Sequence, residues 1–310
     1  MRRKNYFQIP LFNTFLLLIG LFVIILSLII FSGKTTSNRV FTDLYTESPS
    51  IPKRISFCGE KVPLNKSNVS ERLDRELIVN KFWHSSTILA LKRSTRWFPV
   101  IEPILKKYKV PNDMKYLCVI ESNLDNVVSP KGATGFWQLM KSVAIKYKLK
   151  VNKEIDERYN VEKSTVAACK YLISAKKLFK SWTLAAAAYN MGRTGLLRQI
   201  KRQKSKNYYN LILGEETERY IFRILALKRL FENPQDFNFK LLPSDYYKPI
   251  KVKPIKVKRT IKNLSAFAKK YKISYGTLKL FNPWLRANKL TVRKGESFVI
   301  LIPTEKKYHF

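Results

Sequence analysis

The chain has 310 residues, and 59 Lys and Arg against 22 Asp and Glu give it a formal charge of +37 at pH 7. Three cysteines cannot all pair within one chain, which excludes the disulfide framework of a small secreted domain. Two histidines, His84 and His309, lie too far apart in sequence to supply a histidine-based catalytic relay or a zinc site, so no metal or other cofactor is expected. The positive excess points by itself to an anionic partner. The basic residues are scattered, however, with no zinc-finger spacing or RNA-binding aromatic signature, so no nucleic-acid partner is expected.

Residues 1–4 carry three positive charges, and residues 11–31 then run without a charged side chain. Such a run is long enough to cross a hydrocarbon core of about 30 Å as a helix. The positive start places it in the cytoplasm and the remainder outside the membrane. Secretory h-regions span only about 7 to 15 residues and end at small residues of the Ala-x-Ala kind. Residues 1–33 therefore read as an uncleaved signal anchor, with cleavage near Ser32 or Gly33 as the alternative. No cysteine follows closely enough for a lipoprotein anchor. Residues 34–68, rich in Ser, Thr, Pro, Asn and Lys without a sustained period, read as a polar tether.

Helical patterns dominate from residue 69 to about 231, within a domain expected over 69–240 that is long enough to bury its own core. Trp97, Val100, Ile101, Ile104 and Leu105 recur at spacings of three and four, and residues 161–179 and 183–189 are apolar and alanine-rich. Cys118 and Cys169 fall inside such patterns as small buried hydrophobes. Pro111 suits a first helical turn, after which Met114, Leu117, Cys118 and Glu121 share one face. A carboxyl held against apolar neighbours loses hydration of its charged form, so Glu121 can stay protonated near neutral pH and serve as a general acid.

Residues 241–310 change in character. Residues 248–258 alternate Lys with Val, Ile and Pro, as a linker running into an edge strand. Residues 263–272 and 274–281 read as helices, and 297–302 as a closing strand before Pro303.

Three stretches appear in order along the chain: Glu121-Ser122 followed by Ser129-Pro130-Lys131-Gly132-Ala133-Thr134-Gly135 and Trp137-Gln138-Leu139-Met140; Ala187-Ala188-Tyr189-Asn190-Met191-Gly192; and Glu216-Thr217-Glu218-Arg219-Tyr220. Together they resemble the signature of the soluble-lytic-transglycosylase family, whose enzymes cut the glycan strands of peptidoglycan. The resemblance implies a mainly α, lysozyme-like catalytic domain in which Glu121 is acid and base and Tyr189 positions it through a hydroxyl hydrogen bond. It further implies that Ser129, Gln138, Met140, Asn190, Glu216 and Tyr220 line the glycan groove. Gly132 and Gly135 let the backbone turn closely, whether for the turn alone or beside substrate.

A glycosidase ordinarily needs two carboxylates, and neither Asp125 nor Glu216 makes a convincing second one. In the mechanism that the resemblance implies, Glu121 protonates the glycosidic oxygen between N-acetylmuramic acid and N-acetylglucosamine. It then takes the proton of the muramoyl C6 hydroxyl, which closes onto C1 as a 1,6-anhydro end. A goose-type lysozyme would use water instead, and a catalytically silent wall-binding scaffold would do neither. The C-terminal βααβ order looks like a LysM glycan-binding module, although Lys262-Asn263-Leu264-Ser265 stands where such modules usually begin their first helix with Gly-Asp-Thr-Leu. With its anchor, the whole resembles the membrane-bound lytic murein transglycosylases of the D type. That implies peptidoglycan and the membrane as partners and an extracytoplasmic, periplasmic location.

Overall fold

The computed structural model describes residues 19–26 and 47–309, and the chain divides into two compact units, Met1–Glu47 and Ser48–Phe310. In the first unit, residues 19–26 are helical and their side chains are exposed. The remainder of the expected anchor over 1–33 lies outside the described residues, among which no helix is long and apolar enough to cross a membrane.

The second unit begins with a hairpin, β1 (Ser56–Phe57) and β2 (Glu60–Lys61), paired antiparallel. The turn residues Cys58 and Gly59 both have positive φ, 52° and 78°, as a two-residue type I′ connection demands. Part of the tether expected over 34–68 is therefore a docked hairpin, while residues 34–46 of it lie outside the described residues. Phe57 and Val62 are buried in the main core, and Asp113 accepts a hydrogen bond of 2.7 Å from the backbone N–H of Cys58. Two buried apolar side chains flanking a Gly turn, together with such hydrogen bonds, dock a segment whose composition is polar.

Helices follow: α1 (Ser67–Phe82), α2 (His84–Lys107), α3 (Lys115–Ser122), α4 (Lys141–Lys146), α5 (Val161–Phe179), α6 (Trp182–Met191), α7 (Arg193–Gln203) and α8 (Glu215–Glu232). Pro111 caps a 3-10 turn, Asn112–Met114, that leads into α3. Asn160 and Ser181 are side-chain N-caps of α5 and α6, accepting from Lys163 N and Leu184 N. Ala185, Ala186, Ala187 and Ala188 have no exposed surface, which lets α6 lie close between α5 and α8. Helix α8 also packs on α1 and α3, so it is the common wall for the elements that carry the three motifs.

The C-terminal portion runs β3 (Val252–Val257), α9 (Leu264–Lys270), α10 (Tyr275–Phe281) and β4 (Phe298–Pro303). The strands pair antiparallel from Val252↔Pro303 to Val257↔Phe298, the βααβ order read from the sequence. Asn263 caps α9 through hydrogen bonds from Ser265 N and Ala266 N, doing the capping work of the absent Gly-Asp-Thr-Leu start. The preceding linker is strapped to α2: Tyr247 N donates to Lys92 O at 3.0 Å, and Thr95 Oγ1 donates to Tyr247 O at 2.9 Å.

Glu60 ties the hairpin to the helical core. Its carboxylate accepts from Ser181 Oγ (2.7 Å), Thr183 Oγ1 (2.7 Å), Thr183 N (3.0 Å) and Trp182 N, at the positive end of α6. Burial alone would raise its pKa, but these hydrogen bonds outweigh burial and hold it at about 2. A depressed carboxylate stabilises the fold above its unfolded value and loses that contribution as pH falls through its folded value. Glu60→Ala is therefore expected to cost about 2 kcal/mol at pH 7 in urea unfolding. The gap to wild type should narrow as pH falls from 4.5 toward 2.

Candidate active site

Glu121 occupies the last turn of α3, where Asn123 (φ 53°, ψ 35°) ends the helix in the left-handed region and Leu124 (φ 55°) continues the sharp turn. The adjacent residues face opposite ways. Ser122 is buried and donates its hydroxyl to Phe136 O at 2.8 Å, clamping the loop over residues 129–140 to α3. Glu121 instead receives a short hydrogen bond from the hydroxyl of Tyr220 on α8.

That loop is a dense backbone turn. Thr134 and Leu139 exchange N–H···O bonds of 3.2 Å each way, Gly132 N donates to Ser129 O at 2.8 Å, and Gly135 N donates to Val127 O at 2.9 Å. Gly135 has φ 81°, and a Cβ there would lie 2.1 Å from the carbonyl oxygen of Arg158. Its glycine is thus required by the close approach of protein backbone. Gly132 has φ 79° with open space around it, so only its turn demands glycine.

Tyr189 differs from expectation. Its hydroxyl donates to Trp137 O at 2.6 Å and not to Glu121. Trp137 is itself fully buried, with its indole N–H on Thr165 Oγ1 at 2.8 Å. Tyr220, expected in the groove, is the residue that bonds the acid. Gln138 spends its amide on Val127 O and Gly135 O, 2.9 and 2.8 Å away, inside the loop. Ser129 Oγ accepts from Ala133 N at 3.0 Å, and Met140 is 43% exposed at the cap of α4. Asn190 bridges α6 to α8 by donating to Glu216 Oε1 (2.9 Å) and accepting from Thr217 Oγ1 (2.6 Å).

A cleft of about 480 Å³ opens beside Glu121, walled by Asn80, Trp83, Ser86, Asn123, Val127, Arg219 and Arg223. Ser129, Gln138, Met140, Asn190 and Glu216 lie outside this lining. A larger hollow of about 690 Å³ elsewhere on the domain, edged by Lys107, Lys148, Lys163 and Lys170, contains no motif residue. Sequence reasoning missed Trp83 and Arg223. For Arg223 a signal existed: it follows Tyr220 by three residues, which puts both on one face of α8.

Desolvation pushes the Glu121 carboxyl up to about 7, while Tyr220 and Arg223 pull it down and Glu216 adds to the rise. Burial and then the charge of Glu121 raise the hydroxyls of Tyr189 and Tyr220 well above their ordinary value, so both stay protonated donors. The arrangement is a carboxylic acid that can give up and regain a proton near neutral pH at the edge of an open cleft.

Other acids here are engaged. Glu76 in the cleft wall is 1% exposed, with its oxygens 2.7 Å from Arg219 and 3.3 Å from Arg75. Asp125 is paired to Arg93 at 2.7 Å.

Fold and site define a helical domain with a desolvated acid beside a cleft, followed by a small βααβ domain, and known families match both portions. Residues 99–212 match the transglycosylase SLT domain, and residues 253–306 match the soluble lytic transglycosylase C-terminal LysM-like domain. Over 199 residues it is 28% identical to the membrane-bound lytic murein transglycosylase D of Escherichia coli (strain K12), covering 61% of this chain and 43% of that protein. The protein of the same name from Escherichia coli O6:H1 aligns with the same figures. A putative tributyltin chloride resistance protein of Alteromonas sp. (strain M-1) is 33% identical over 104 residues, or 33% of this chain and 50% of that protein. The chain thus spans less than half the length of the Escherichia coli relatives.

Two outcomes follow from the site. A carboxyl whose folded pKa lies above its unfolded value contributes stability below about 4.5 and loses it as pH rises through about 7. Glu121→Gln should therefore gain on wild type by on the order of 1 to 3 kcal/mol between pH 5 and pH 8 in thermal unfolding. Gly135→Ala should cost more than about 2 kcal/mol, because backbone at residue 158 must move.

Proposed function

We propose that this chain is a peptidoglycan lytic transglycosylase in which Glu121 alone performs acid and base steps. The observation that carries the reading is the desolvated Glu121 carboxyl at the cleft, with a pKa of about 7 and a single tyrosine donor. A protonated Glu121 gives its proton to the glycosidic oxygen between N-acetylmuramic acid and N-acetylglucosamine. As a carboxylate it then removes the proton of the muramoyl C6 hydroxyl, which attacks C1 and forms the 1,6-anhydro bond. Tyr220 donates to the carboxylate while it is charged. A double-displacement hydrolase would need a second carboxylate about 5 Å away, whereas Glu76 and Asp125 are held by arginines and Glu216 by Asn190. Those pairings support a substrate-supplied nucleophile.

Within this reading the helical portion to residue 240 is the catalytic lysozyme-like domain, the C-terminal domain meets glycan strands, and residues 1–33 anchor the protein to the membrane. The catalytic face would be extracytoplasmic. The name of the Escherichia coli relatives, membrane-bound lytic murein transglycosylase D, supports that placement.

Digestion of purified sacculi with the full chain, followed by mass spectrometry of the released muropeptides, tests the reaction. Anhydromuramoyl ends, lighter than reducing ends by one water, are expected, with Glu121→Gln slower by about 10²- to 10⁴-fold. Reducing ends would show hydrolysis, and Glu121-independent release would remove the mechanism. Activity should fall as pH rises above about 7, where the acid loses its proton. Arg223→Gln should shift that limb upward, since Arg223 favours the carboxylate.

A further inference from the structure

The C-terminal domain has its own apolar core, yet one residue of that core comes from elsewhere. Ile155, in the loop over 150–159 between α4 and α5, is 3% exposed among Leu264, Leu278, Trp284, Leu285 and Phe298. Ile155 and Leu285 form an antiparallel bridge. Asp156 N donates to Trp284 O at 2.9 Å, and Arg286 N donates to Glu154 O at 2.8 Å. Side chains extend the contact. Glu154 accepts from Thr291 N at 2.9 Å and pairs with Lys289 at 3.2 Å, and Lys150 pairs with Glu296 at 2.7 Å.

The same loop holds the active-site turn from its other side. Arg158, 8% exposed, is paired with Asp156 at 2.7 Å and donates to Gly132 O (2.9 Å) and Leu139 O (3.1 Å). Its own carbonyl is the atom against which Gly135 is pressed. Asn126 Nδ2 donates to Tyr159 O at 3.3 Å. One short segment therefore has Ile155 sunk in the C-terminal core and Arg158 bonded to two carbonyls of the turn that carries Trp137 and Gln138.

We infer that the C-terminal domain is an intramolecular brace for the active-site turn, with Ile155 as its plug and the Asp156–Arg158 pair as positioning residues. A domain that merely reached for glycan along a free linker would need neither the Ile155 insertion nor the strapping of Tyr247 to α2. The turn has no helix or sheet of its own to hold it, so its order depends on what it is bonded to. Freed, it would carry Trp137 O, and with it the Tyr189 hydroxyl, away from their places near Glu121. Displacements of that size lower turnover without removing any group that touches substrate.

The turnover arm of the test rests on the proposed function, and the exchange arm does not. In the full chain, Ile155→Asp places a charge in the C-terminal core and should undock the domain. Hydrogen exchange of residues 129–140 is then expected to rise at least about fivefold while that of α8 stays unchanged. On a soluble tetrasaccharide, too short to span both domains, kcat should fall about tenfold with KM held, and equally on sacculi. A pair of charge changes supplies the same readouts should Ile155→Asp not fold. Lys150→Glu and Glu296→Lys alone should each loosen the turn, and the double variant should restore it. Unchanged exchange at 129–140, or losses confined to sacculi, would make the domain a glycan grip only and overturn the brace. If the wild-type chain cleaved no glycan, the exchange result alone would decide.

Discussion

A carboxyl group that is to keep its proton near pH 7 must be taken out of water, and α3, the turn that follows it and α8 together do this to Glu121. Helix α3 is short, and two left-handed residues turn the chain away directly after it, so the acid sits at an end where the cleft can reach it. Helix α8 closes the other side and contributes Tyr220. The opposing demands are balanced by residue type. Apolar packing raises the pKa, and one hydroxyl and one guanidinium keep the charged form accessible. Full desolvation with no donor would hold the carboxyl in its protonated form, whereas a water-exposed Glu would be ionised at neutral pH.

The remaining acids follow a different rule. Glu60, Glu76, Asp125 and Asp156 are each matched to a helix end or to arginines and a lysine. Buried carboxylates without partners would be costly, and matched ones give specificity more than net stability. With 22 acids in all against 59 basic residues, most of the positive charge has no acid to match it and is left to the surface. There it would attract an anionic polymer at long range and lose force with added salt.

The two domains of the second unit are mechanically one body where it matters to the site. The loop over 150–159 belongs by sequence to the helical portion and by burial to the C-terminal core, because a β-branched side chain in a polar loop finds its apolar surroundings across the boundary. Domain limits drawn from sequence composition fall at the linker. The energetic boundary does not.

Much of this was legible in the chain itself. Period, caps and breakers are local properties, so α3, α5 and the βααβ order could be read from them, as could Glu121 on an otherwise apolar face. The Gly-punctuated turn and the ordered motifs pointed to the family whose domain models match the chain. What could not be read depends on approach between distant segments. The hairpin at 56–61 has strands too short for a pattern, and its anchor, Glu60, meets residues more than a hundred positions away. The partner of Glu121 is Tyr220, 99 residues on, while Tyr189 turns to Trp137. Arg158 reaching Gly132 and Leu139, and Ile155 completing another domain's core, are of the same kind. By itself the sequence determined most of the helices and the closing strands, and it placed Glu121 on an apolar helix face, because neighbouring residues decide helix, turn and cap. Only the tertiary structure decided which donor meets which acceptor, because those choices are made by packing, where one helix face can satisfy a hydroxyl in several ways and volume and burial select one.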